Sequence, residues 1–284
     1  MTEPLELTIQ VSVGGLSVRE WPGEGRPIVC LHGLASNARW WDPVADRLEP
    51  SHRVLAVDLR GHGRSERPDA GYGFPEVGGD VVQLLDHLGL SGAVLVGHSW
   101  GASVALWAAG QAASVAGVVC VDGGAVDLRA VFGPTWAEAR ERMRPPRPER
   151  LDEAKVRSHV AHSALSEEIG EGPAAAAIMG NFEVGPEGWL LPRLSMGHHM
   201  EIAEALYHLD QMALWRNVAC PVRFLMAESG EVASKRAAVD IARRTLRGQS
   251  DAVFISGQHD LPIQRPGQVA AWVLDFAAGL PALT

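Results

Sequence analysis

The stretch Ala93–Ala109, AVLVGHSWGASVALWAA, decides the fold. It opens on the short apolar run Ala93–Val96, which reads as a buried strand. It then passes through Gly97-His98-Ser99-Trp100-Gly101 and continues as small and apolar residues at helical spacing. A serine on so abrupt a strand-to-helix turn is expected at a strained backbone angle, with its hydroxyl above the carboxyl edge of a sheet. Gly97 and Gly101 stand two positions either side of it, where a Cβ would obstruct the approach of helix to strand.

Outward from this stretch, strand and helix patterns alternate. Leu5–Val13 and Leu16–Trp21 read as a β-hairpin turning on Gly14-Gly15. Pro27–Leu31 is a short strand ending in His32-Gly33-Leu34, Trp40–Glu49 has helical periodicity, and Arg53–Val57 is a strand closing on Asp58-Leu59-Arg60-Gly61-His62-Gly63-Arg64-Ser65. Val77–Leu88 reads as an amphipathic helix, and Val115–Val121 as an apolar strand ending in Asp122-Gly123-Gly124. From about Asp127 to His208 the alternation gives way to prolines (145, 146 and 148), arginines and scattered Met and Trp. It returns with Val222–Ala227, Ala233–Leu246, Ala252–Ile255 and Gln268–Ala278. Alternating strands and helices predict an α/β fold with a mostly parallel, eight-stranded sheet covered on both faces. The middle section reads as a helical cap inserted after strand 6. Residues 1–127 and 209–284 are expected to form the core and 128–208 the cap, over the strand ends where open α/β sheets bind ligands.

Composition narrows the function. The 284 residues are 46% hydrophobic and 21% charged, ordinary values for a globular protein, and the formal net charge of −9 disfavours nucleic acid and anionic membrane surfaces as partners. Basic charge is carried almost wholly by arginine. Cys30, Cys120 and Cys220 are odd in number and sit in or beside apolar runs, so they predict core packing in a reducing cytoplasm and no disulfide framework. Thr2–Val18 alternates without a basic or apolar leader pattern, and no apolar run approaches membrane-spanning length. His198-His199 with His159, His162 and His208 have no metal-ligand spacing, and no metal or cofactor is expected. A monomer or homodimer is expected.

The pentapeptide Gly97–Gly101 resembles the nucleophile elbow of the α/β-hydrolase superfamily, and other motifs agree with that resemblance. Ser256-Gly257-Gln258-His259 follows the last strand, with Pro266 seven residues on. The Asp58–Ser65 string resembles the family's D-x-x-G-x-G-x-S loop, and His32-Gly33-Leu34 its HG-x loop. The resemblance implies Ser99 as nucleophile and His259 as general base. It implies an oxyanion hole from the backbone amides of Leu34 and Trp100, the latter at a helix start where the dipole favours negative charge. His32, Gly33, Trp100, Trp41 and Met200 are candidate substrate contacts, under a cap whose Met and Trp content suits an apolar ligand.

The acid departs from the commonest family pattern. The position after the penultimate strand that often holds aspartate falls here on Gly230. Asp122 is the first choice, because a carboxylate leaving a strand apolar on both faces needs a strong donor such as imidazole N–H. Glu231 and Glu228 are the alternatives. Together these residues predict a serine hydrolase of a small carboxylic ester or lactone with a hydrophobic moiety. Hydrolysis of a C–C bond in a ring-cleavage product, or a receptor with a vestigial site, are the alternative readings; a serine at the elbow argues against chemistry that needs an aspartate there.

Overall fold

The computed structural model describes residues 3–49, 51–145, 151–185 and 188–282; Thr2, Pro146 and Pro148 of the sequence reading lie outside them. The strands are β1 (Leu5–Val11), β2 (Gly14–Trp21), β3 (Ile28–Leu31), β4 (Val54–Val57), β5 (Ala93–His98), β6 (Val115–Val121), β7 (Leu151–Asp152), β8 (Phe182–Val184), β9 (Trp189–Pro192), β10 (Val222–Ala227) and β11 (Ser250–Ile255). Eight of them form one sheet in the order β1-β2-β4-β3-β5-β6-β10-β11. β2 is antiparallel to both its neighbours, and the pairs from β4 to β11 are parallel. Every residue of β3, β4, β5 and β10 is buried, as continuous apolar runs covered on both faces demand. Two hydrophobic clusters, one on each face, hold the sheet between its helices.

Sheet order locates the site. The chain steps from β3 outward to β4 in one direction and from β5 to β6 in the other, so connections diverge between β3 and β5. At such a switch point the carboxyl ends of the strands leave a crevice. The turns that border it are His32-Gly33-Leu34 and the Ser99 turn.

One detail of the hairpin differs from expectation. β1 and β2 turn on Ser12-Val13, and Gly14 and Gly15 lie inside β2. Neighbours explain the glycines: a Cβ on Gly14 would meet Glu66 at 2.8 Å, and one on Gly15 would meet the Thr8 methyl at 2.7 Å.

Between β6 and β10 the chain is not purely helical, as the sequence reading expected. Helices including Leu128–Phe132, Trp136–Met143, Glu153–Ala161 and Met196–Tyr207 surround a small antiparallel sheet, β7-β9-β8. Side-chain caps start these short helices. Asp127, Thr135, Asp152, Ser163 and Ser195 each accept from a first-turn amide, and Thr135 and Glu138 form a capping box. The helix Gln211–Asn217 returns to pack on the helix Trp100–Gln111, with Trp215 Nε1 donating to Gly124 O at 2.9 Å. No helix among the described residues is long and apolar enough to cross a membrane.

The Asp58–Ser65 loop is fixed by polar contacts. Asp58 accepts from the amides of Ala38 (2.7 Å) and Arg64 (2.9 Å), and Ser65 Oγ donates to Asp58 O. Arg60 forks onto Asp80, both bonds at 2.6 Å, and also donates to Gly71 O. With side chains only 7% and 1% exposed, this pair is a liability if broken. Arg60→Met strands a buried carboxylate and is expected to lower unfolding free energy by about 3–5 kcal/mol in urea denaturation, whereas Arg60→Met with Asp80→Leu recovers most of that loss. Equal losses in the single and double variants would contradict this.

Candidate active site

Ser99 sits between β5 and the helix Trp100–Gln111 at φ 54°, ψ −119°. Packing tolerates that backbone only because its neighbours lack side chains. A Cβ on Gly97 would lie 2.2 Å from Gly101 O, one on Gly101 2.5 Å from Leu31 O, and one on Gly123 2.2 Å from Ser99 O. The first two were expected; Gly123 adds a third close approach from the end of β6.

His259 follows β11 and reaches the serine. Its Nε2 lies 2.9 Å from Ser99 Oγ and its Nδ1 2.7 Å from Asp122 Oδ2, so Nδ1–H donates to the carboxylate and Nε2 faces the hydroxyl. The loop is held from both sides. His98 Nε2 donates to His259 O at 2.9 Å, with the rings 4.9 Å apart, and the Gln258 amide donates to Gln264 Oε1 at 2.7 Å. Burial pushes the His98 imidazole down to about 3, so it is a neutral prop.

Asp122 ends β6 at φ 41°, with its side chain only 1% exposed. Oδ1 accepts from the Ala227 amide at the end of β10 (3.0 Å) and from Lys235 Nζ (2.8 Å). Oδ2 accepts from Lys235 Nζ (3.0 Å) as well as from His259. Burial pushes this carboxyl up, but the hydrogen bonds from His259, Lys235 and Ala227 outweigh it and hold it below the usual aspartate value. The two alternative acids stand elsewhere. Glu228 pairs with Arg236 at 3.2 Å, and Glu231 precedes the helix Val232–Thr245 at the cavity edge.

Leu34 and Trp100 line the same cavity as Ser99. A Cβ on Gly33 would come within 3.2 Å of the Ser99 Cβ, which shows how closely this loop passes the serine. Trp100 opens the elbow helix, where amides and dipole favour an anion.

A family model described as the alpha/beta hydrolase fold matches residues 26–264. The chain belongs to the α/β-hydrolase family. Among its relatives, the 2-(acetamidomethylene)succinate hydrolase of Mesorhizobium japonicum is 31% identical over 256 residues, covering 85% of this chain and 84% of that protein. A solved structure of E-2-(acetamidomethylene)succinate hydrolase superposes with a TM-score of 0.77 at 26% identity, covering 97% of this chain and 100% of that one. The thioesterase domain from the curacin biosynthetic pathway superposes with a TM-score of 0.78 at 19% identity over 96% and 100% of the two chains, a likeness of fold alone.

In this α/β-hydrolase the cavity beside Ser99 measures about 670 Å³, walled by Leu128, Val131, Phe132, Met143 and Leu206, with Arg142 as a cation on its rim. Of the five expected substrate contacts Trp100 lines it, and His32, Gly33, Trp41 and Met200 do not. His32 is fully buried: its Nδ1–H donates to Gly33 O (2.8 Å) and its Nε2 accepts from the Leu59 amide (3.0 Å). It therefore shapes the Gly33-Leu34 loop, as does His62, which accepts from the Ala35 amide at 3.3 Å. Burial pushes the two imidazoles down to about 4 and about 3, so both are neutral. Trp41 is wholly buried in the core on the opposite face from the elbow helix. Met200 shares the helix Met196–Tyr207 with His199 and Leu206, which do line the cavity. One residue beyond His199 turns about 100° around the helix, and Met200 faces away. The sequence reading missed Lys235, Arg142 and Gly123.

Because the folded chain holds Asp122 below its ordinary value of 3.8, its ionised form contributes stability that is complete above that value and lost as pH falls through the folded one. The stability gap between the natural chain and Asp122→Asn, measured by urea denaturation from about pH 5.5 downward, is expected to hold steady to about pH 4 and then shrink. A gap that widens on acidification would contradict the assignment.

Proposed function

We propose that this α/β-hydrolase cleaves a carboxylic ester or lactone with a hydrophobic moiety through an acyl-enzyme on Ser99. The observation that carries the proposal is the unbroken hydrogen-bond chain from Ser99 Oγ through His259 to Asp122, at 2.9 and 2.7 Å. His259 Nε2 takes the hydroxyl proton as Oγ attacks the carbonyl, and Asp122 stabilises the imidazolium that forms. The amides of Leu34 and Trp100 receive the oxyanion. Collapse expels the alkoxide, which takes the proton back from His259, and water releases the acyl group by the same route. An apolar cavity of about 670 Å³ suits a small organic acyl compound.

A second reading shares every step up to the leaving group. The 31%-identical relative is named for an acetamido-bearing succinate, so an N-acyl substrate with carboxylate groups is the alternative, and Arg142 on the cavity rim favours it. The receptor reading rests on the glycine at position 230; the 2.7 Å hydrogen bond between His259 Nδ1 and Asp122 Oδ2 favours the hydrolase reading over it.

A fluorophosphonate probe is expected to label Ser99 stoichiometrically and to lose that site in Ser99→Ala; a folded chain that resists labelling contradicts the proposal. A panel of esters, lactones, N-acyl compounds and ring-cleavage products then ranks the readings by kcat/KM. On the best substrate, Asp122→Asn is expected to lower kcat by about 10³–10⁴-fold, as loss of the group that orients the base does elsewhere. Glu228→Gln, whose carboxylate is spent on Arg236, is expected to stay within about threefold. The reverse ranking would move the acid to the loop after β10.

A further inference from the structure

Asp122 serves two cations. In the simplest nucleophile–base–acid arrangement the carboxylate answers to the imidazolium alone, which exists only while the base holds a proton. Here an ammonium is already in place. Lys235 Nζ contacts both carboxylate oxygens, at 2.8 and 3.0 Å, and donates to Ala227 O at 3.3 Å. Its side chain is 18% exposed, in the first turn of the helix Val232–Thr245, and it lines the cavity beside Ser99. The residue type is informative, because Lys235 is one of two lysines among 25 basic residues. A compact ammonium can bridge two carboxylate oxygens and a carbonyl within one helix turn, where a planar guanidinium is longer and more rigid.

The consequence follows from sharing. Charge that Asp122 gives to Lys235 is withheld from a proton on His259, and the ammonium also repels that proton directly. We infer that Lys235 is a positioning residue that, by sharing the Asp122 carboxylate, weakens that carboxylate's hold on a proton at His259 and so tunes how the imidazole takes the Ser99 proton. The inference rests on the role proposed above for Ser99 and His259.

Other groups around the imidazole do not supply the same effect. His98, packed on it from the elbow, is neutral, and Asp260 from its own loop has the opposite sign of influence. Glu231, one turn before Lys235 at the start of the same helix, opposes it in sign, and Arg142 and His199 line the same cavity. Lys235 is the cation hydrogen-bonded to the same carboxylate as His259.

The test reads His259 itself. In a Ser99→Ala background, the imidazole titration is followed by NMR and assigned by its loss in His259→Ala. Lys235→Met is expected to raise the midpoint by about 1 pH unit, and Lys235→Arg, which keeps the charge, to return it toward the parent value. If Lys235→Met does not fold, Lys235→Gln is read in its place. With Ser99 intact, the acid limb of the rate of fluorophosphonate labelling is expected to move by the same amount. A midpoint shifted by less than about 0.2 unit in a folded neutral variant overturns the inference. Failure of the natural chain to label at all sinks the hydrolase reading instead, and the titration still reports on Lys235.

Discussion

The site depends on three strained peptide units. Ala35 (φ 59°), Ser99 (φ 54°) and Asp122 (φ 41°) are the non-glycine residues with positive φ among the described residues, and all three leave the carboxyl ends of neighbouring strands in the sheet. Each costs on the order of 1–3 kcal/mol and persists only where its surroundings dictate it. Those surroundings are β3, β5 and β6, with the glycines at 33, 97, 101 and 123 giving the backbone room to pass. Strain turns the Ser99 hydroxyl out of the sheet and the Asp122 carboxylate sideways toward β10. The imidazole from β11 can then reach both.

Electrostatically, the neighbourhood is divided between neutral props and one concentrated charge. His32, His62 and His98 are buried and held neutral, and each spends a hydrogen bond on fixing a loop. None adds a positive charge that would compete with an imidazolium. The charge resides in Asp122, whose desolvation is offset by an ammonium, an amide and an imidazole. A buried carboxylate with donors on both oxygens can neither rotate nor protonate easily. That is what a group orienting a base must provide.

Much of this was legible in the sequence, for reasons that differ by element. Ser99 and His259 lie on tight turns at strand ends, where glycine spacing records the backbone geometry. Asp122 was legible because a carboxylate at the end of a fully apolar strand must find a donor. Lys235 was not: it is 113 residues from Asp122 and sits on a helix whose polar positions look like a solvated face. The strands β7, β8 and β9 were missed because they are two to four residues long, too short for alternation to register. Met200 was misplaced by one helical position, since the irregular middle section fixes no face in advance.

The segment between β6 and β10 is tied to the rest of the chain at the loop after β3. Asn37 is buried three residues after Leu34. It accepts from the Arg39 amide and donates to Ala177 O (2.7 Å) and Asn181 Oδ1 (2.8 Å) on the segment that leads into β8. A Cβ on Gly180 would meet its amide at 2.8 Å, so the two segments touch without a side chain between them. The next residue, Ala38, donates its amide to Asp58, so this loop is also tied to the loop after β4. The turn carrying the Leu34 amide is therefore clamped between two loops of the core and the floor of the elements above it. Asn37 is thus the point at which the helix Glu171–Met179 and the segment after it are hydrogen-bonded to the loop after β3.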